Sequence, residues 1–154
     1  DPEKTLADVA DMHARLDRER PAKSAWDLKE AKGGLFDVEF IVQGLQLVHA
    51  ATKPEVLNVN TLDALHALAS AGAITADDAR MLEERTRIFQ SITHILRLAV
   101  EGTFDPTGAS PSLRALIART AHLPTFEDVE ARLGEIQEEV RGLFTRTTAP
   151  KTPT

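Results

Sequence analysis

The stretch Trp26-Asp27-Leu28-Lys29-Glu30-Ala31-Lys32-Gly33-Gly34-Leu35-Phe36-Asp37-Val38-Glu39-Phe40 holds the residues best suited to chemistry. Two lysines precede a pair of glycines, and a strongly apolar helical segment follows. Such a turn can hold an anion for three reasons. Glycine lacks a Cβ, so backbone N–H groups can approach a ligand closely. The first turn of a helix leaves N–H donors without partners and carries about half a positive charge. Lysine side chains add full charges. Lys29, Lys32, Gly33 and Gly34 are therefore candidates for contact with a phosphate or nucleotide. The alternative is that Gly33-Gly34 simply turns the chain into the helix.

Asp37, Glu39, Gln43 and Gln46 form a second group, placed to orient other residues or to meet another domain. Glu39 lies in the first turns of an apolar helix. It reads either as a carboxylate orienting Lys29 or a neighbouring domain's basic group, or as an acid answering the helix dipole. Gln43 and Gln46 extend its face into a polar ridge, which suits a partly buried seam against another domain.

Other constellations are missing. The five histidines stand at 13, 49, 66, 94 and 122. None pairs with another at i, i+4, and there is no HExxH, so no metal site is expected. No strained serine or cysteine elbow, P-loop or dinucleotide-binding glycine pattern occurs. The chain has no cysteine, which excludes disulfides and thiolate-bound zinc and fits a reducing cytoplasm. No catalytic residue and no resident cofactor are expected in this chain.

The elements that would position these residues are helical throughout. Leu6, Val9, His13 and Leu16 make one stripe of a first helix that ends near Arg20, before Pro21. Pro21 to Gly34 has no helical period and reads as an extended loop, with room for a short strand. Val38, Ile41, Leu45 and Val48 line a second helix, widened by Phe36, Phe40 and Leu47; a helix this apolar belongs at the centre of a domain. Asn60 or Thr61 caps a third helix that stops at Gly72. Thr75 opens a fourth that runs to about Glu101, and Gly102 to Ala109 is a break. Ser110-Pro111 starts a fifth. Phe126, Val129, Leu133, Ile136, Val140 and Leu143 alternate spacings of three and four along a sixth. The expected fold is all-α, a bundle of five or six helices with short loops, forming one domain over 1–146 with a disordered tail at 147–154.

Composition agrees. The 154 residues are 42% hydrophobic and 27% charged, as in ordinary globular domains. The formal net charge of -6 argues against nucleic acid as a partner. Basic residues gather at Arg15, Arg18, Arg20, Lys23, Lys29 and Lys32, and the last helix is acidic. That asymmetry suits a small anion or is a pair of solvated faces. No apolar run approaches the ~18 residues of a membrane span, and no signal peptide is visible. The chain starts at Asp1 without Met and reads as a piece of something longer.

The glycine segment resembles a motif of the glutamine synthetase adenylyltransferases: Lys29, then Gly33-Gly34, Leu35, Phe36, Asp37, Val38 and Glu39-Phe40, continuing into Ile41-Val42-Gln43. Pro54-Glu55-Val56, Thr61 to Leu65, Ala71 to Ile74 and His94 to Leu98 extend the similarity over about residues 5 to 145. PII uridylyltransferases share a Gly-Gly-Leu motif, but Val38-Glu39-Phe40 fits the adenylyltransferases better. The resemblance implies a helical domain following a nucleotidyltransferase domain, in a cytoplasmic enzyme that adenylylates and deadenylylates a tyrosine of glutamine synthetase under control of the PII signalling protein and glutamine. Termination soon after the last helix and Phe36 both point to the C-terminal copy, which follows the adenylylating half. ATP and magnesium would belong to that parent enzyme. The Gly-Ser motif and Asp-x-Asp pair that would bind them are absent here, so the chain alone should be inactive. Glu30-Ala31-Lys32 stands where relatives often carry a further glycine. The implied role is to complete one wall of the upstream nucleotide site with Lys29, Gly33 and Gly34 and to position glutamine synthetase or PII. The alternative is an interaction module that docks those partners without a catalytic contribution.

Overall fold

Side-chain caps set most helix starts in the computed structural model, which describes residues 1–150. Asp1 accepts from the Glu3 amide and opens α1 (Pro2–Glu19). Asn60 caps α3 (Thr61–Ser70) by accepting from the Asp63 amide. Thr75 does the same for α4 (Ala76–Ala99), and Ser110 for α5 (Pro111–Thr120). Thr125 and Asp128 cap each other reciprocally at the start of α6 (Phe126–Thr148). The exception is α2 (Leu35–His49), whose N-cap is Gly34 with no side-chain bond. Its first turn is held by the preceding loop instead.

Six α-helices and one 3₁₀ turn, Pro54–Val56, make up the regular structure among the described residues, with no strand. The centre is α2, which packs against α1, α3, α4 and α6. That placement follows from its composition, because a helix apolar on most sides must be covered on most sides. Val38, Ile41, Leu65, Leu68, Leu82, Phe89, Ile92 and Ile117 are fully enclosed. All six stripe residues of α6, from Phe126 to Leu143, are buried as their spacing predicts. Each buried Val, Leu, Ile or Phe side chain stabilises by about 1.5–3 kcal/mol relative to exposure.

Two expectations change. The loop from Pro21 to Gly34 forms bends and turns rather than a strand, because its amides bond back within the loop and to α2 rather than across to a neighbour. The last helix runs past 146 to Thr148, where the Thr148 hydroxyl donates to the Phe144 carbonyl. Residues 151–154 of the expected tail lie outside the described residues.

Candidate functional site

The loop ahead of α2 is fixed to α6 at both ends. Trp26 stacks on Phe126 with ring centres 5.1 Å apart and meets Phe104 edge-on at 5.0 Å. Its indole N–H donates to Glu130 Oε1 at 3.2 Å, and the Gln137 amide donates to the Ala25 carbonyl at 2.8 Å. Further along, the Leu35 amide donates to the Leu28 carbonyl at 2.9 Å and the Phe36 amide to the Lys29 carbonyl at 3.0 Å. The loop therefore folds back over the start of α2 and uses the donors that a helix terminus normally leaves open.

Gly33 and Gly34 are buried within this arrangement. Gly33 has φ +79°, and a Cβ there would lie 1.8 Å from the Gln137 carbonyl oxygen. A Cβ on Gly34 would lie 2.4 Å from the Leu28 carbonyl oxygen. Close approach of the chain's own backbone thus explains both glycines. Their amides are also taken: Gly33 donates to Asp37 Oδ2 at 2.7 Å, and Gly34 to the Ala31 carbonyl at 2.8 Å. Both amides expected to meet a phosphate thus have partners within the bundle.

Asp37 is the centre of a buried polar cluster. Its Oδ1 lies 2.5 Å from His13 Nε2, and its Oδ2 accepts from Gly33 N–H and from Arg141 at 3.1 Å. Arg141 also reaches Asp17 Oδ2 at 3.4 Å, and Asp17 lies 3.7 Å from His13 Nδ1. Burial pushes the Asp37 carboxyl up, but the hydrogen bonds from His13 and Gly33, with the Arg141 guanidinium nearby, outweigh it and hold the group below its ordinary value. The imidazole of His13 is packed between Phe40, edge-on at 5.0 Å, and Phe144 at 4.2 Å. Asp37 is thus a fixing point inside the bundle that orients His13, Gly33 and Arg141.

Lys29 and Glu39 meet at one cleft of about 700 Å³ between the loop and the C-terminal half of α4. Its walls carry Trp26, Leu28, Leu35 and Phe104, and its other basic groups are Lys23, His94 and Arg97. Lys29 is exposed, sits with Nζ 4.9 Å above the Phe36 ring, and makes no ion pair among the described residues. Glu39 also borders a second cleft of about 270 Å³ with Gln43, Asn58 and Val59. Gln43 is exposed there, whereas Gln46 is buried and donates to the Val56 and Asn58 carbonyls, both at 2.9 Å. Gln46 therefore ties the α2–α3 connection from the buried floor of the same cleft that Glu39 and Gln43 border. Lys32 is exposed and lines neither cleft.

The sequence reading missed His13, His94, Arg97 and Arg141. His13 carried a usable signal, since it occupies a position on the apolar stripe of α1. The others depend on how α4 and α6 cross the loop, which local spacing does not encode. The charged lining of the cleft is mixed, with Lys23, Lys29, His94 and Arg97 set against Asp27, Glu30 and Glu39 over an apolar wall. Such a rim offers its lysines and arginine to an anion and its carboxylates to a basic group. Among the described residues no group of three or more His, Cys, Asp or Glu is arranged to hold a metal ion, and no helix is long and apolar enough to cross a membrane.

The described residues thus form an all-helical bundle with one large charged cleft. Residues 4–147 match the family model described as GlnD PII-uridylyltransferase, and the chain belongs to that family. Three similar proteins are all bifunctional glutamine synthetase adenylyltransferase/adenylyl-removing enzymes. The protein from Bradyrhizobium sp. strain BTAi1 is 43% identical over 145 residues, covering 94% of this chain and 15% of the relative. That from Rhodopseudomonas palustris strain HaA2 is 42% identical over 139 residues, covering 90% and 14%. That from Xanthobacter autotrophicus strain Py2 is 39% identical over 146 residues, covering 95% and 15%. The chain thus spans about 15% of the length of the curated relatives it matches. The resemblance to adenylyltransferases drawn from the Lys29–Phe40 segment agrees with these names.

Proposed function

We propose that this bundle is the helical domain of an enzyme that adenylylates and deadenylylates a tyrosine of glutamine synthetase, and that it supports the nucleotide site of an adjoining transferase domain. The observation that carries this reading is the meeting of Lys29 and Glu39 at one open cleft. Lys29 is held at its backbone, makes no ion pair among the described residues, and shares the cleft with Lys23 and Arg97 as well as with Asp27 and Glu30. Phosphoryl-type transfer depends mainly on positioning and charge stabilisation, so a lysine supplied by a neighbouring domain is a physically sensible contribution. Glu39 would orient Lys29 or a basic group of that neighbour. Gly33 and Gly34 contribute by shaping the turn, not by touching phosphate.

ATP would reach the bundle only through its phosphates, at the Lys29 rim. The described residues hold no acid cluster fit for magnesium, so that ion would be bound by the transferase domain. The copy following the adenylylating half is the one proposed, with the cytoplasm as its location.

In the full-length enzyme Lys29→Ala should lower adenylylation severalfold or more, and the isolated bundle should transfer nothing. Unchanged kinetics would remove Lys29 from the mechanism.

A second reading, a docking module for PII or glutamine synthetase, is favoured by the α2–α3 side. Val59 is fully exposed beside the smaller cleft, and Leu47 and Leu57 are 64% and 60% exposed. Titrating the bundle with each partner separates the two. Tight binding together with a dispensable Lys29 would favour docking.

A further inference from the structure

Lys29 reaches solvent, yet its backbone is set by groups that lie deep in the bundle. The Asp37 carboxylate bonds His13 of α1 through one oxygen, and Gly33 N–H and Arg141 of α6 through the other. Gly33 is pressed against the Gln137 backbone, so the turn cannot relax toward α6. From that turn the Leu35 and Phe36 amides reach back to the Leu28 and Lys29 carbonyls. Lys29 is therefore registered against the first turn of α2, and Phe36 supports its ammonium.

Resting on the reading of Lys29 given above, we infer that His13 and Arg141 are positioning residues for Lys29, acting through Asp37 and the Gly33 turn. Neither borders the large cleft, so neither touches a ligand held there. Packing alone does not call for this cluster. Apolar residues of similar volume commonly replace a buried ion pair with no loss of stability. What apolar residues cannot do is hold the Gly33 amide and a guanidinium on one carboxylate oxygen. The cluster also links α1 and α6 to the loop. Displacement of either helix would be felt at Lys29, and a misplacement of about 1 Å can cost about a hundredfold in rate.

The test is a double-mutant comparison in the full-length enzyme, using Lys29→Ala, His13→Asn and the pair combined. Leu68→Ala, an enclosed α3 residue, serves as a destabilised control. His13→Asn should lower adenylylation by up to the loss seen in Lys29→Ala, well beyond Leu68→Ala, and should add nothing to Lys29→Ala. Arg141→Gln, altering a side chain that is 32% exposed, repeats the comparison if His13→Asn does not fold. In the present chain, amide hydrogen exchange at Gly33, Leu35 and Phe36 should quicken in either variant while exchange in α3 stays unchanged. Additive losses, or a loss no larger than that of Leu68→Ala, would overturn the inference and leave the role of Lys29 standing. A silent Lys29→Ala would overturn both.

Discussion

His13 Nε2 on α1 lies 2.5 Å from Asp37 Oδ1 on α2, and both side chains are buried. The contact joins helices whose partners are 24 residues apart in sequence. The other oxygen of the same carboxylate is shared by Gly33 and Arg141, so three other segments of the chain converge on this α2 side chain. Removing it exposes several groups at once to the loss of a partner. Asp37→Ala should therefore destabilise the bundle by roughly 3–5 kcal/mol, the usual range for breaking a buried charged pair. Urea denaturation followed through Trp26 fluorescence would measure this, and a loss under about 1 kcal/mol would show that the cluster contributes little.

The same carboxyl gives the fold a defined acid sensitivity. Its folded pKa lies below the unfolded one, so its stabilisation is fully present above the unfolded value near pH 4 and is lost as pH falls through the folded value. Stability of the native sequence should decline across that window. Asp37→Asn should be less stable at neutral pH and should decline less steeply there. Parallel urea midpoints for the two proteins between about pH 5 and pH 2 would contradict this.

Two glycines with nearly the same backbone angle should respond very differently to a methyl group. Gly33 has φ +79° and Gly72 has φ +73°, but only Gly33 has atoms within reach of an added Cβ. Gly72→Ala carries the left-handed strain alone, about 1–2 kcal/mol. Gly33→Ala must also push α6 away, and should cost at least about 1–3 kcal/mol more from overpacking. Thermal melting of the two variants should rank them clearly, and equal melting temperatures would count against the close approach at Gln137.

Gln46 supplies a fourth case. Its amide N–H₂ satisfies two carbonyls, and Leu at this position would leave both without that donor. Gln46→Leu should cost about 1–3 kcal/mol despite the gain in apolar character. Hydrogen exchange across residues 56–60 should rise with it. A neutral substitution would mean that water replaces the amide readily.

Much of the bundle could be read from local pattern. The α6 stripe, the threonine and serine caps and the apolar character of α2 each act over a few residues, so spacing alone exposes them. The candidate site was only partly legible. Lys29 and Glu39 were recognisable as charges flanking a turn, and they do share a cleft. Gly33 and Gly34 gave the same signal that a phosphate loop gives, because a close approach needs the missing Cβ whether the visitor is a ligand or the backbone of Gln137. Glu39, Gln43 and Gln46 were legible as one polar face and they line one cleft, but the bonds of Gln46 to the Val56 and Asn58 carbonyls depend on how the α2–α3 connection folds back, which spacing does not encode. Arg141 lies 104 residues from Asp37, and nothing local marks that pair.

Chemical labelling of Lys29 in the full-length enzyme tests the central claim most directly. An amine-reactive reagent, with modification read at each lysine by mass spectrometry, should label both Lys29 and Lys32 without nucleotide, with Lys32 as the internal reference. Adding ATP should protect Lys29 and leave Lys32 reactive. Equal labelling of Lys29 with and without ATP would contradict the account, because the ammonium would then lie outside the reach of the nucleotide.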